Sequence, residues 1–79
     1  MIEITANGSP VRVASGSAVD AVVEALTGRR LDADGAPLDG APLGVAVAVD
    51  GVVVPRAAWS SRLLGAGARV EVLTAAQGG

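Results

Sequence analysis

One segment of this chain, from Ser17 to Gly28, spaces its apolar residues for a helix, and no other segment does. Val19, Val22, Val23 and Leu26 fall at i, i+3, i+4 and i+7, which gathers them on one face and leaves Asp20, Glu24 and Thr27 on the other. Ser17 is expected as the N-cap, with Asp20 completing a box-like start near the positive end of the helix. Gly28 is the expected stop, and Arg29 and Arg30 place positive charge beside the last carbonyls. A lone amphipathic helix of about three turns must bury its stripe against another layer.

The rest of the chain supplies that layer. Ile2 and Ile4 alternate with Glu3 and Thr5, Val11 and Val13 flank Arg12, and Asn7-Gly8 between them suits the positive φ of a tight turn. Residues 1–14 therefore read as an antiparallel hairpin, with Pro10 near the start of its second strand where a missing N–H matters least. Val45, Val47 and Val49 alternate with alanines, Asp50-Gly51 marks a second hairpin, and Pro55 ends a short strand at Val52–Val54. Residues 56–64 read as a turn or short irregular helix around Trp59, and Ala68 to Thr74 alternates once more. The order strand, strand, helix, strand, strand, strand predicts an α+β fold, one helix over one face of a mixed sheet. Residues 31–44 hold three Gly, two Pro and three Asp without period, which predicts an exposed loop with no core-facing residue. Residues 75–79 have nothing to pack with and are expected to be mobile.

Composition narrows the chemistry. At 79 residues there is room for one small domain, which buries about 60% of its unfolded surface. Val and Ala dominate the apolar half, and Trp59 is the sole aromatic residue, so its volume is expected to anchor the core. Six Arg against eight acidic residues give a net charge of −2, which removes the electrostatic basis for nucleic-acid binding or attraction to an anionic membrane. With no Cys and no His, disulfides, thiolate or imidazole metal sites and serine-triad chemistry are excluded. No apolar run approaches the roughly 20 residues of a membrane span, and residues 1–20 lack the pattern of a signal peptide, so the expected compartment is the cytoplasm.

Most apparent motifs dissolve on inspection. Asn7-Gly8-Ser9 matches a glycosylation sequon but precedes Pro10 and reads better as a turn. A calcium loop starting at Asp32 would need Glu where Leu43 stands. The Gly35 to Gly40 frame lacks the Lys and hydroxyl of a phosphate loop, and Gly65-Ala66-Gly67 leads into a strand. The C-terminus is different. Gly78-Gly79 follows a strand and a three-residue spacer, and two glycines give the thinnest and most adaptable leash by which a terminal carboxylate can thread another enzyme's site.

With that element order and ending, the chain resembles the ubiquitin-like β-grasp sulfur carriers, and specifically the ThiS family. The matching residues are the opening strand with Asn7-Gly8, the helix from Ala18-Val19 to Leu26, and Val45 to Gly51. Val53-Val54-Pro55-Arg56-Ala57-Ala58-Trp59 resembles the family's V-P-R-x-x-W segment, and Val70 to Gly79 its T-A-x-Q-G-G ending. Residues 29–43 stand out as an insertion, Asp50 stands where Asn is frequent, and Ala68 where Asp is frequent.

The resemblance implies a β-grasp domain over residues 1–74, with a mixed five-stranded sheet, one helix on one face and a flexible carrier tail at 75–79. It implies a substrate rather than a catalyst. A ThiF-type adenylyltransferase, using its own ATP and magnesium, would adenylate the Gly79 carboxylate, with Gly78 needed for entry to its active site. A sulfur donor such as a cysteine desulfurase would then give a thiocarboxylate that a ThiG-type thiazole synthase consumes in thiamine biosynthesis. No bound cofactor or metal is expected on this chain. The alternatives are a sulfur carrier for molybdopterin synthesis, a ubiquitin-like modifier, and a β-grasp interaction module with an idle tail.

Overall fold

Two dipeptides turn the chain back on itself. Asn7 and Gly8 adopt φ values of 51° and 83°, and Asp50 and Gly51 adopt 51° and 85°. Paired positive φ is the mark of the two-residue turn that matches strand twist. In the computed structural model, which describes residues 1–74, these turns join β1 (Ile2–Ala6) to β2 (Ser9–Val13) and β3 (Val45–Val49) to β4 (Val52–Val54). Strand β5 (Arg69–Thr74) then runs between the hairpins and gives the order β2-β1-β5-β3-β4. It lies parallel to β1 at Thr5↔Arg69 and Ala6↔Val70, and antiparallel to β3 from Val45↔Thr74 to Val49↔Val70.

The period of two sorts the sheet's faces. Ile4, Ala6, Val47, Val49, Val54 and Val70 are buried on one face, against Val19, Val22 and Val23 of helix α1 (Val19–Thr27). Glu3, Arg12, Arg69, Glu71 and Leu73 alternate out of that face and are exposed. The fold expected from the element order, a mixed five-stranded sheet carrying one helix, is the one observed. Among the described residues, no helix is long and apolar enough to cross a membrane.

Trp59 is buried, at 1% exposure, and is the largest of the fully buried side chains. Its indole N–H donates to the Val54 carbonyl at 2.9 Å, so burial leaves no orphaned donor. A short 3-10 turn, Arg56–Ala58, delivers the ring, and the Arg56 guanidinium lies 5.5 Å from the ring centroid.

Several expectations are corrected. Ser17 is not the N-cap: the helix starts from Ala18, without a side-chain cap. Backbone carbonyls brought in by the 59–62 segment do that work, with Val19 N–H on Arg62 O at 3.0 Å and Asp20 N–H on Trp59 O at 3.3 Å. Gly28 does end the helix, at φ 71° with its N–H on Glu24 O. Leu26 leaves the apolar stripe and is 46% exposed. Thr27, four residues after Val23, turns partly inward instead, its hydroxyl donating to Val23 O at 2.7 Å.

Arg29 is not a helix cap but the staple of the long loop. Its guanidinium donates to Asp39 Oδ1 at 2.7 Å and to the carbonyls of Ala41 and Pro42. The loop also lacks the purely exposed character its composition suggests. Leu31 and Leu43 pack against the core, Gly35 is buried, and Ser60 donates its hydroxyl to Ala33 O at 2.7 Å. The anchors are isolated points, which is why no hydrophobic period announces them.

Candidate functional site

The residues marked by the sequence, Gly78 and Gly79, lie outside the described residues, as does the expected mobility of 75–79. The structure does describe their root. Strand β5 is the last element before them and the central strand of the sheet, held from both sides.

The two hairpin turns do much of the holding. On one side, Asp50 N–H donates to Arg69 O at 2.8 Å, and Arg69 N–H donates back to Asp50 Oδ1 at 2.9 Å. On the other, Asn7 N–H donates to Val70 O at 2.9 Å, and Val72 N–H donates to Asn7 Oδ1 at 2.8 Å. The first residue of each turn thus offers β5 a side-chain acceptor, beyond the positive φ that the turn itself requires. A sequence reading of Asn7 and Asp50 as turn residues alone misses this. The available signal is that glycine would make either turn but could not accept a bond.

Beside Asn7 the open face of the sheet forms a cleft of about 520 Å³, lined by Thr5, Gly8, Arg69, Glu71 and Leu73 among others. Arg69 and Glu71 put both signs of charge on it, next to the apolar Leu73. Thr74, exposed and paired with Val45, is the last described residue before the terminal segment.

Two acidic residues of the 31–44 loop, Asp32 and Asp39, bind the loop's own backbone. Asp32 Oδ1 accepts from the Asp34 and Ala36 N–H groups, at 2.8 and 3.0 Å. Asp39 accepts from Ala41 N–H at 2.9 Å as well as from Arg29. The Arg29 hydrogen bond first, then that of Ala41, holds the Asp39 carboxyl below the usual carboxylate range. Among the described residues, no group of three or more acidic, His or Cys side chains is placed to hold a metal ion. The V-P-R-x-x-W segment is structural at its two ends, since Val54 and Trp59 are both buried and bonded to each other, while Arg56 is exposed.

Comparison with known proteins agrees with this architecture. The ThiS family model matches residues 1–79. The crystal structure of the thiamine biosynthesis protein ThiS from Geobacter metallireducens is similar at a TM-score of 0.69 and 26% identity, covering 99% of this chain and 100% of that one. An NMR solution structure of a thiamine biosynthesis protein from Geobacter metallireducens gives a TM-score of 0.66 and 28% identity, over 99% and 88% of the respective chains. No curated protein sequence matches significantly. A family match that runs from the first residue to the last, on a fold shared with both solved structures, establishes that the chain belongs to the ThiS family.

Proposed function

We propose that this chain is a sulfur carrier of thiamine biosynthesis, and that the Gly79 carboxylate is its working group. The observation that carries the reading is a family match reaching Gly79, on a chain whose last five residues follow directly from the central strand. The domain of residues 1–74 serves as the handle a partner grips, and 75–79 as the segment it receives.

In the first step the Gly79 carboxylate oxygen attacks the α-phosphorus of ATP in a ThiF-type adenylyltransferase, whose magnesium assists, and pyrophosphate leaves. The terminal sulfur of a persulfide supplied by a cysteine desulfurase or related donor then attacks the acyl carbon, and AMP departs to leave an acyl disulfide. A thiol reductant cleaves its S–S bond with two electrons, freeing the donor's cysteine and leaving a thiocarboxylate on Gly79. A ThiG-type thiazole synthase takes that sulfur, and the chain returns to the carboxylate. The carrier needs no cysteine in this scheme, because sulfur rides on the backbone terminus. The two solved structures described above are of thiamine biosynthesis proteins, which favours thiazole formation over the molybdopterin pathway as the destination.

Exchange of labelled pyrophosphate into ATP by a ThiF-type enzyme tests the first step. The exchange should depend on this chain and disappear when Gly79 is deleted. It should weaken for Gly78→Val, whose β-branched side chain both widens the segment and disfavours positive φ. Undiminished exchange without Gly79 would remove the carboxylate from the mechanism.

A further inference from the structure

Asn7 binds β5 through two of its polar groups, and the register shows why the second is needed. β1 and β5 pair in parallel only at Thr5↔Arg69 and Ala6↔Val70. Past Ala6 the chain turns toward β2, with Asn7 at φ 51°. The backbone of β1 is therefore no longer alongside when β5 reaches Val72. The Asn7 side-chain oxygen takes the place of the missing carbonyl and accepts the Val72 N–H at 2.8 Å. This adds one rung on the β1 side, two residues before Thr74 and the start of the terminal segment. Asn7 is exposed, so the bond is made by choice of side chain and not forced by burial.

We propose that Asn7 is a positioning residue for the carrier reaction: by holding the Val72 amide, it sets the line along which the chain leaves the sheet toward Gly79. The proposal rests on the Gly79 chemistry argued above. A partner that grips the domain and receives the carboxylate needs a fixed starting point between the two. Each residue spans up to about 3.3–3.6 Å, so a shift in heading at Val72 grows along every residue that follows. Without the rung, residues 72–74 are held only from the β3 side, through the Val45↔Thr74, Ala46↔Leu73 and Val47↔Val72 pairs. The fraction of molecules presenting the segment correctly then falls, and apparent affinity falls by that same fraction. Turnover after the segment is seated does not change.

Two substitutions separate the acceptor from the turn. Asn7→Gly keeps the positive φ at no steric cost and removes the acceptor. Asn7→Asp keeps both, since Asp tolerates the left-handed region and its carboxylate accepts strongly. Amide hydrogen exchange at Val72, thermal unfolding and steady-state adenylation by a ThiF-type enzyme with ATP are measured on the full chain. Asn7→Gly should speed exchange at Val72 on the order of tenfold while Val47 stays protected, in keeping with one lost hydrogen bond. It should raise the KM for the carrier about three- to tenfold with kcat within about twofold, and Asn7→Asp should restore both readings. If Asn7→Gly is too loose to fold, Asn7→Ala, strained but equally without an acceptor, gives the same comparison. An acceptor-free variant with fast Val72 exchange and wild-type KM overturns the proposal, and so does an Asn7→Asp variant as impaired as Asn7→Gly. A wild-type chain that is never adenylated overturns instead the carrier reading beneath it.

Discussion

Gly35, buried within the 31–44 loop, rests directly on Arg56 of the V-P-R-x-x-W segment. A β-carbon at Gly35 would meet the Arg56 side chain at Cγ and lie 2.7 Å from its carbonyl oxygen, and the backbone there has a φ of +80°. The 31–44 loop is thus fitted against the segment that carries Trp59.

Gly35→Ala should therefore destabilise the protein by roughly 1–3 kcal/mol, combining overpacking with an unfavourable left-handed backbone. Gly40→Ala, at φ +77° with nothing within 4 Å, carries the backbone strain alone and should cost less. Urea unfolding of both variants measures the difference. Equal losses would mean that contact with Arg56 adds nothing.

Trp59→Ala should cost about 3–5 kcal/mol, since it removes the largest fully buried side chain and leaves a cavity among stiff valines. It also leaves the Val54 carbonyl without its indole partner. The native chain should show blue-shifted Trp fluorescence that a soluble quencher barely reaches. Emission like that of free tryptophan would put the ring in water.

The Arg29–Asp39 pair predicts a pH dependence of the loop. The Asp39 carboxyl is held below its ordinary value of 3.8, chiefly by the Arg29 hydrogen bond. A depressed carboxyl contributes stability that is present above the unfolded value and is lost as pH falls through the folded one. The loop's order should accordingly be flat from neutrality to about pH 4 and decline below that. Because Asp39 is well exposed, solvent and salt screen the effect, and it should be local to the loop and not global. Carbon-detected NMR titration of Asp39, together with the Ala41 amide that it accepts, reads it. A midpoint at or above the ordinary value would contradict the pairing.

Local chemistry made much of this fold readable. Asn7-Gly8 and Asp50-Gly51 announce their turns because positive φ has few tenants, and Trp59 announces its burial because the core has no other large ring. The unread parts depend on partners distant in sequence. Ser17 looks like a cap, yet the carbonyls of Trp59 and Arg62 occupy the helix start first. Leu31 and Leu43 join the core singly, so neither shows a period. The Asn7–Val72 bond spans 65 positions, and no local pattern encodes it. Of the candidate site, Gly78-Gly79 carry the sequence signal on which the proposed chemistry rests, while the way β5 is held at their root has no local signal.

The central claim concerns one atom pair at the terminus, and intact-protein mass spectrometry tests it most directly. Incubated with a ThiF-type adenylyltransferase, ATP and a sulfur source, the chain should gain the mass of one oxygen-to-sulfur exchange, and fragmentation should place it on Gly79. A chain carrying one extra residue after Gly79 should gain nothing while keeping its fold. Sulfur found on any other residue, or a gain of equal size on the extended chain, would contradict the carrier account.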